Sequence, residues 1–97
     1  MADAAMVVQH DPVSARFVAR LDGHRGVLAY HRAGAGAAER IVIPSVVVDP
    51  AIEGRGVAGA LTRAALDWAR ANGLRVEPVC PYVVAWMRRH PEYDDLR

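Results

Sequence analysis

The chain contains no lysine; all twelve of its basic residues are arginine. A Schiff-base lysine is excluded, and so is self-acylation on a lysine side chain. Cysteine occurs once, at Cys80, which rules out an intrachain disulfide and a multi-cysteine zinc site. Long apolar runs are missing too, and nothing approaches the roughly 20 residues that a membrane helix needs. Met1 to Gln9 carries no basic segment ahead of an apolar one. No secretory signal is read there, and a cytoplasmic protein is expected. Nor is there an excess of one charge: the net charge is +1, with arginines scattered from Arg16 to Arg97 among Asp and Glu. That argues against nucleic acid and membrane as partners. What remains is globular composition, 53% hydrophobic and 24% charged, enough for one domain with a core.

Read along the chain, residues 1–12 form a loose terminus and residues 13–97 one domain. Ser14 to Leu21 alternates as a strand, Asp22-Gly23 is a turn signal, and Gly26 to His31 is a second strand. After the small-residue loop Ala33 to Ala38, the β-branched run Arg40 to Val48 is a third. These three make an antiparallel meander. A helix follows from Gly56 to Ala71, with Val57, Leu61, Ala64 and Trp68 as its buried stripe. Asn72-Gly73-Leu74 closes it as a C′ glycine followed by an apolar residue. Leu74 to Val79 is a fourth strand, parallel to the third because a helix crosses between them. Pro81 opens a last helix at N1, with Cys80 as N-cap and a stop near Arg89 before Pro91. Pro44 and Pro78 fall inside strands and weaken the ladder there, which leaves room for a slot between the parallel strands. The class is α+β.

The most informative stretch joins the third strand to the first long helix: Val46-Val47-Val48-Asp49-Pro50-Ala51-Ile52-Glu53-Gly54-Arg55-Gly56-Val57-Ala58-Gly59. Backbone N–H groups at a helix start lack intrahelical partners and carry the positive end of the dipole. A strand, a glycine loop and a helix in that order make a phosphate site. Gly54 to Gly59 spells G-x-G-x-x-G, and Glu77 follows at about the distance of a ribose-binding acid, roughly 20 residues. A dinucleotide reading fails on three counts. Five residues, Asp49 to Glu53, separate the strand from the first glycine. The preceding strands are hairpin-connected, and too little chain follows for the rest of a dinucleotide domain.

The order of meander, glycine loop, helix, parallel strand and helix resembles the GCN5-related N-acetyltransferases. Glu53-Gly54-Arg55-Gly56-Val57-Ala58 resembles that family's R/Q-x-x-G-x-G/A pyrophosphate loop. The tail Val79-Cys80-Pro81-Tyr82-Val83 with Arg89-His90-Pro91-Glu92-Tyr93 resembles a minimal single-domain group within it. The resemblance implies acetyl-CoA as cosubstrate. Backbone N–H groups from Glu53, Gly54, Arg55, Gly56, Val57 and Ala58 would cradle the pyrophosphate. The edge Val46-Val47-Val48 would pair with the pantetheine arm as though it were another strand. Two departures stand out: Glu53 replaces the family's frequent Arg or Gln, and Ser45 stands where close relatives often carry His.

Acyl transfer from a thioester needs an amine that loses a proton, stabilisation of the carbonyl oxygen, and a proton for the departing thiolate. Larger relatives use a tyrosine on the last helix as the acid; here Trp86 falls at about that place. Tyr82 is the nearer substitute and Tyr93 a weaker one. Cys80, at a helix N-cap, is the other catalytic candidate, with three roles open: covalent acyl acceptor, positioning group, or buried packing residue. His90 reads as a helix cap, Glu92 and Tyr93 as pins holding the C-terminus to the sheet, and Glu77 as a base only if it faces the slot. No metal site is expected. The expectation is direct acetyl transfer from acetyl-CoA to a primary amine, on a peptide or protein, by a monomer or weak dimer. Its rivals are a non-catalytic acyl-CoA-binding module and acyl transfer through Cys80.

Overall fold

The computed structural model describes residues 6–97. Five strands form one sheet in chain order: β1 (Val7–Asp11), β2 (Arg16–Leu21), β3 (His24–Ala33), β4 (Arg40–Val48) and β5 (Arg75–Pro78). Neighbours are antiparallel up to β4, and β5 lies parallel to β4. Helix α1 (Val57–Ala71) crosses between the parallel strands, and α2 (Pro81–Arg88) follows β5. The chain is α+β, with the expected meander, glycine loop, helix, parallel strand and helix.

The N-terminus departs from expectation. A loose terminus over residues 1–12 does not hold for Val7–Asp11, which pairs with Arg16–Arg20 as an edge strand. The Asp-Pro turn makes the return: Asp11 Oδ1 accepts from Ser14 N–H at 3.2 Å, and Ala15 N–H donates to Pro12 O. Residues 1–5, part of the same expectation, lie outside the described residues. The β2–β3 hairpin turns on Asp22 and Gly23, both at positive φ (52° and 77°), the geometry that matches strand twist in a two-residue loop.

Nearly all packing is on one face of the sheet. Phe17, Ala19, Leu21, Leu28, Tyr30, Ile41, Ile43 and Val76 share that face and form a single core with α1 and α2. Fully buried side chains such as Leu28, Ile41 and Leu61 each contribute about 1.5–3 kcal/mol. The stripe of α1 is rotated from the expected one. Val57 and Leu61 are buried as read, but Thr62, Ala65, Leu66 and Ala69 complete the stripe, while Ala64 and Trp68 lie at its margin. The cause is β1: His10 stacks on Phe17 at 4.1 Å and meets the Trp68 ring edge at 4.6 Å, so Trp68 covers the sheet's outer strands. The helix ends as expected. Gly73 (φ 67°) donates to Arg70 O and buried Leu74 to Ala69 O, which satisfies the last carbonyls.

Candidate functional site

The site begins where the parallel ladder stops. β5 pairs with β4 only from Arg40 to Ile43, and its last rung is Ile43 with Pro78. Val79 and Cys80 then donate both their N–H groups to Ile43 O, at 3.1 and 2.9 Å, as the chain turns away into α2. On the other side of β4, Ile43 and Pro44 together face Tyr30, an extra residue that makes a bulge. Proline has no N–H, so it costs no ladder bond there. Past the bulge, Asp49 N–H donates to Arg25 O, which sets the phase of the strand. Ser45 and Val47 turn their backbone groups toward β3, and Val46 and Val48 turn theirs toward the opposite edge. No strand pairs with that edge among the described residues. The slot expected from Pro78 is this edge, and its free groups belong to Val46 and Val48.

The glycine loop carries the same edge into α1. Asp49 Oδ1 accepts from Ala51 N–H at 2.9 Å and caps a short helical turn, Pro50–Ile52. That backbone donor, helped by His24, holds the Asp49 carboxyl below its ordinary range. Ile52 is buried and anchors the turn. Gly54 and Gly56 then sit at φ 76° and 82°, a left-handed backbone that suits glycine, with open space where each Cβ would be. Gly56 is the N-cap of α1 and offers no side chain, so the first-turn N–H groups of Val57, Ala58 and Gly59 stay available. Gly26 on β3 seats this helix end. A Cβ there would lie 2.9 Å from Val57 Cγ1 and 3.2 Å from both Leu61 Cδ1 and Val48 Cγ2.

Edge and helix start enclose a cavity of about 270 Å³. Val46, Val48, Glu53, Gly54, Gly56, Val57 and Ala58 line it, and Tyr82 closes it from α2. Ile52 is a further wall the sequence reading missed. Three expected residues are elsewhere. Val47 is 66% exposed on the opposite face of β4, and Arg55 pairs with Asp22 at 2.6 Å. Cys80 is buried in the core cluster. Tyr82 approaches α1 at Gly59, where a Cβ would lie 3.5 Å from both its hydroxyl and Trp86 Nε1. Burial raises the Tyr82 pKa above its usual value, opposed by Arg89, so the phenol stays protonated at neutral pH.

A free strand edge that runs into a glycine-cradled helix start is the arrangement the loop motif implied. The family model of the GCN5-related N-acetyl-transferases matches residues 16–96. The chain belongs to the GCN5-related N-acetyltransferase family. It is also similar to Protein NATD1 of Bos taurus, 36% identical over 87% of this chain and 74% of that protein. The Gallus gallus protein of the same name is 34% identical over 87% of this chain and 76% of its own length. Protein NATD1 of Homo sapiens is 34% identical over 87% and 74%.

This N-acetyltransferase domain assigns its remaining candidates to structure. His90 Nδ1 lies 2.7 Å from Trp86 O, and its ring stacks on Trp86 at 3.6 Å, a cap on α2 as read. Tyr93 pins the C-terminus, but to α1 rather than to the sheet. Its hydroxyl donates to Asp67 Oδ1 at 2.6 Å and accepts from Arg63 at 3.1 Å. Glu92 does likewise through its carbonyl, which accepts from Arg70. Glu77 faces away from the slot and is bound to Arg40 Nε at 2.7 Å. No described helix is long and apolar enough to cross a membrane.

Proposed function

We propose that this domain transfers an acetyl group from acetyl-CoA to a primary amine by direct attack. The observation that carries the reading is the unpaired Val46–Val48 edge running into the free N–H groups of α1. An amide-bearing pantetheine arm matches the edge as a strand would. The pyrophosphate matches the first turn of α1 and the open space at Gly54 and Gly56. The reading places the domain in the cytoplasm, with a peptide or protein amine as acceptor and no second copy needed to complete the cavity.

The chemistry follows from those positions. The amine nitrogen bonds to the thioester carbon, and the carbonyl oxygen becomes anionic. The Val46 N–H, on the open edge, is the donor for that oxygen; one such donor contributes about 10²–10³ in rate. As the C–S bond breaks, sulfur takes the proton of the Tyr82 hydroxyl, and the amine gives its own proton to water. Tyr82 is then reprotonated from solvent. Cys80 supports the turn into α2 from within the core.

A second reading, an acyl-CoA-binding module without turnover, is favoured by one observation: among the described residues, the only ionisable side chains lining the cavity are Glu53 and Tyr82. Calorimetry with acetyl-CoA, followed by thiol release with a panel of amines, separates the two. Saturable binding with amine-dependent thiol release is expected. Binding without release would leave only the module. Absence of binding would sink both, and a stable gain of one acetyl group in the intact mass would move the chemistry to Cys80.

A further inference from the structure

The core leaves the opposite face of the sheet uncovered by any described element. Strand register orders that face in rows, since paired residues share a side. One row is aliphatic: Val18 on β2, Val27 on β3 and Val47 on β4. It forms a shallow trough across the strands, with Val18 in its floor and Val47 66% exposed at its end. The next row on one side holds Arg20 directly opposite Arg25. Both are exposed, and neither has a carboxylate within ion-pair distance among the described residues. Like charges directly opposite destabilise a hairpin. On the trough's other side is Arg16, 3.8 Å from Asp11, whose Nε is buried with no hydrogen-bond partner. A polar cavity of about 500 Å³ opens between Arg16 and Arg20 over Val18.

Arg20 and Arg25, without carboxylate partners, and Arg16, shared with Asp11, flank an aliphatic row that is buried at Val18 and opens to solvent at Val47. We infer that this face docks an extended protein segment that carries both acidic and aliphatic residues, its carboxylates on Arg20 and Arg25 with Arg16 beside them, and its aliphatic side chains over Val27 and Val47. Guanidinium groups bind carboxylates through paired N–H donors, and the strip removes the segment's apolar side chains from water. A nucleic acid fits less well. Among the described residues no Phe, Tyr or Trp lies on this face for bases to stack on, His31 being its one ring, and Asp11 and Glu77 interrupt its charge. An anionic membrane is disfavoured by the same acids. The docking is independent of acetyl transfer and is read without acetyl-CoA.

Fluorescence anisotropy with a labelled Glu-Val-Asp repeat peptide tests it. The wild-type chain should bind this peptide at least about tenfold tighter than an Arg-Val-Lys repeat, a difference of about 1.4 kcal/mol. The double variant R20E/R25E should reverse that preference. Both sites are exposed, so an unchanged circular dichroism spectrum and melting temperature certify the fold. Equal binding of the two peptides, or a preference that the double variant leaves intact, would overturn the inference. So would tighter binding of single-stranded RNA or phosphatidylserine vesicles than of the acidic peptide.

Discussion

The two helices both begin beside the open edge of β4, yet they begin in opposite ways. α1 starts from Gly56, left-handed at φ 82° and bare of any side chain, so its first N–H groups face the cavity. α2 starts from Cys80, with its thiol in the core and its N–H bound to Ile43 O, and Pro81 at the first helical position brings no N–H. A helix start becomes a binding site only if nothing in the chain already uses it. The dipole is common to both; what differs is whether the preceding residue withdraws or fills the space. At α1 the residue withdraws and an anion site remains. At α2 it fills, and what reaches the cavity is the next side chain but one, Tyr82.

The sharpest way to break this division of labour is Tyr82→Phe. If α2 contributes only a proton, the variant keeps its acetyl-CoA affinity while kcat falls by about 10²–10⁴, the usual worth of a positioned acid. The pH profile gives the sign. Tyr82 works while protonated, and burial lifts its pKa. The wild-type rate should therefore hold through neutral pH and decline only above about pH 10, the ordinary tyrosine value. The Phe variant should lack that alkaline limb. Calorimetry and a stopped thiol assay across pH check both points; an equal loss of affinity and rate would make Tyr82 a wall of the cavity only.

Smaller, and aimed at the other helix, is Gly26→Ala. Its new Cβ would press on Val57 Cγ1 at 2.9 Å and push the start of α1 off the sheet. Overpacking of this kind costs about 1–3 kcal/mol, seen as a lower urea midpoint. Because the strain falls on the first turn of α1, acetyl-CoA affinity should drop with stability. Retained affinity in a destabilised variant would mean that the loop holds its shape without its seat.

Both helix starts were legible in the sequence, because proline, glycine and cysteine mark backbone geometry whatever packs around them. The β-branched run and the glycine loop located the cavity wall for the same reason. What was not legible depended on register. Of Val46, Val47 and Val48, adjacent and chemically alike, only the bulge at Ile43-Pro44 decides which turn toward the edge. Such a bulge exists only in relation to Tyr30, a residue far away in sequence. Trp68 sits off the stripe that helical spacing gives because it packs on His10, a partner from β1 that no local pattern in the helix reveals. Gly26 did leave a signal, since a lone glycine within a strand marks close approach of another element. The face it serves, however, appears only once α1 is docked.

The smallest expected effect is at Cys80, and it bears most directly on the contrast between the two helix starts. Cys80→Ala deletes one buried heavy atom, which costs about 1 kcal/mol of stability. The N–H that binds Ile43 O belongs to the backbone and survives the change, so the turn into α2 and the place of Tyr82 should survive too. Acetyl-CoA affinity and kcat should then match the wild type at a temperature well below either melting point. A residue that accepted the acetyl group would lose all turnover, and one that positioned the thioester would raise KM while sparing the fold. Steady-state kinetics beside a thermal melt tell these outcomes apart. An inactive but fully folded variant would mean that α2, like α1, presents its first residue to the cavity.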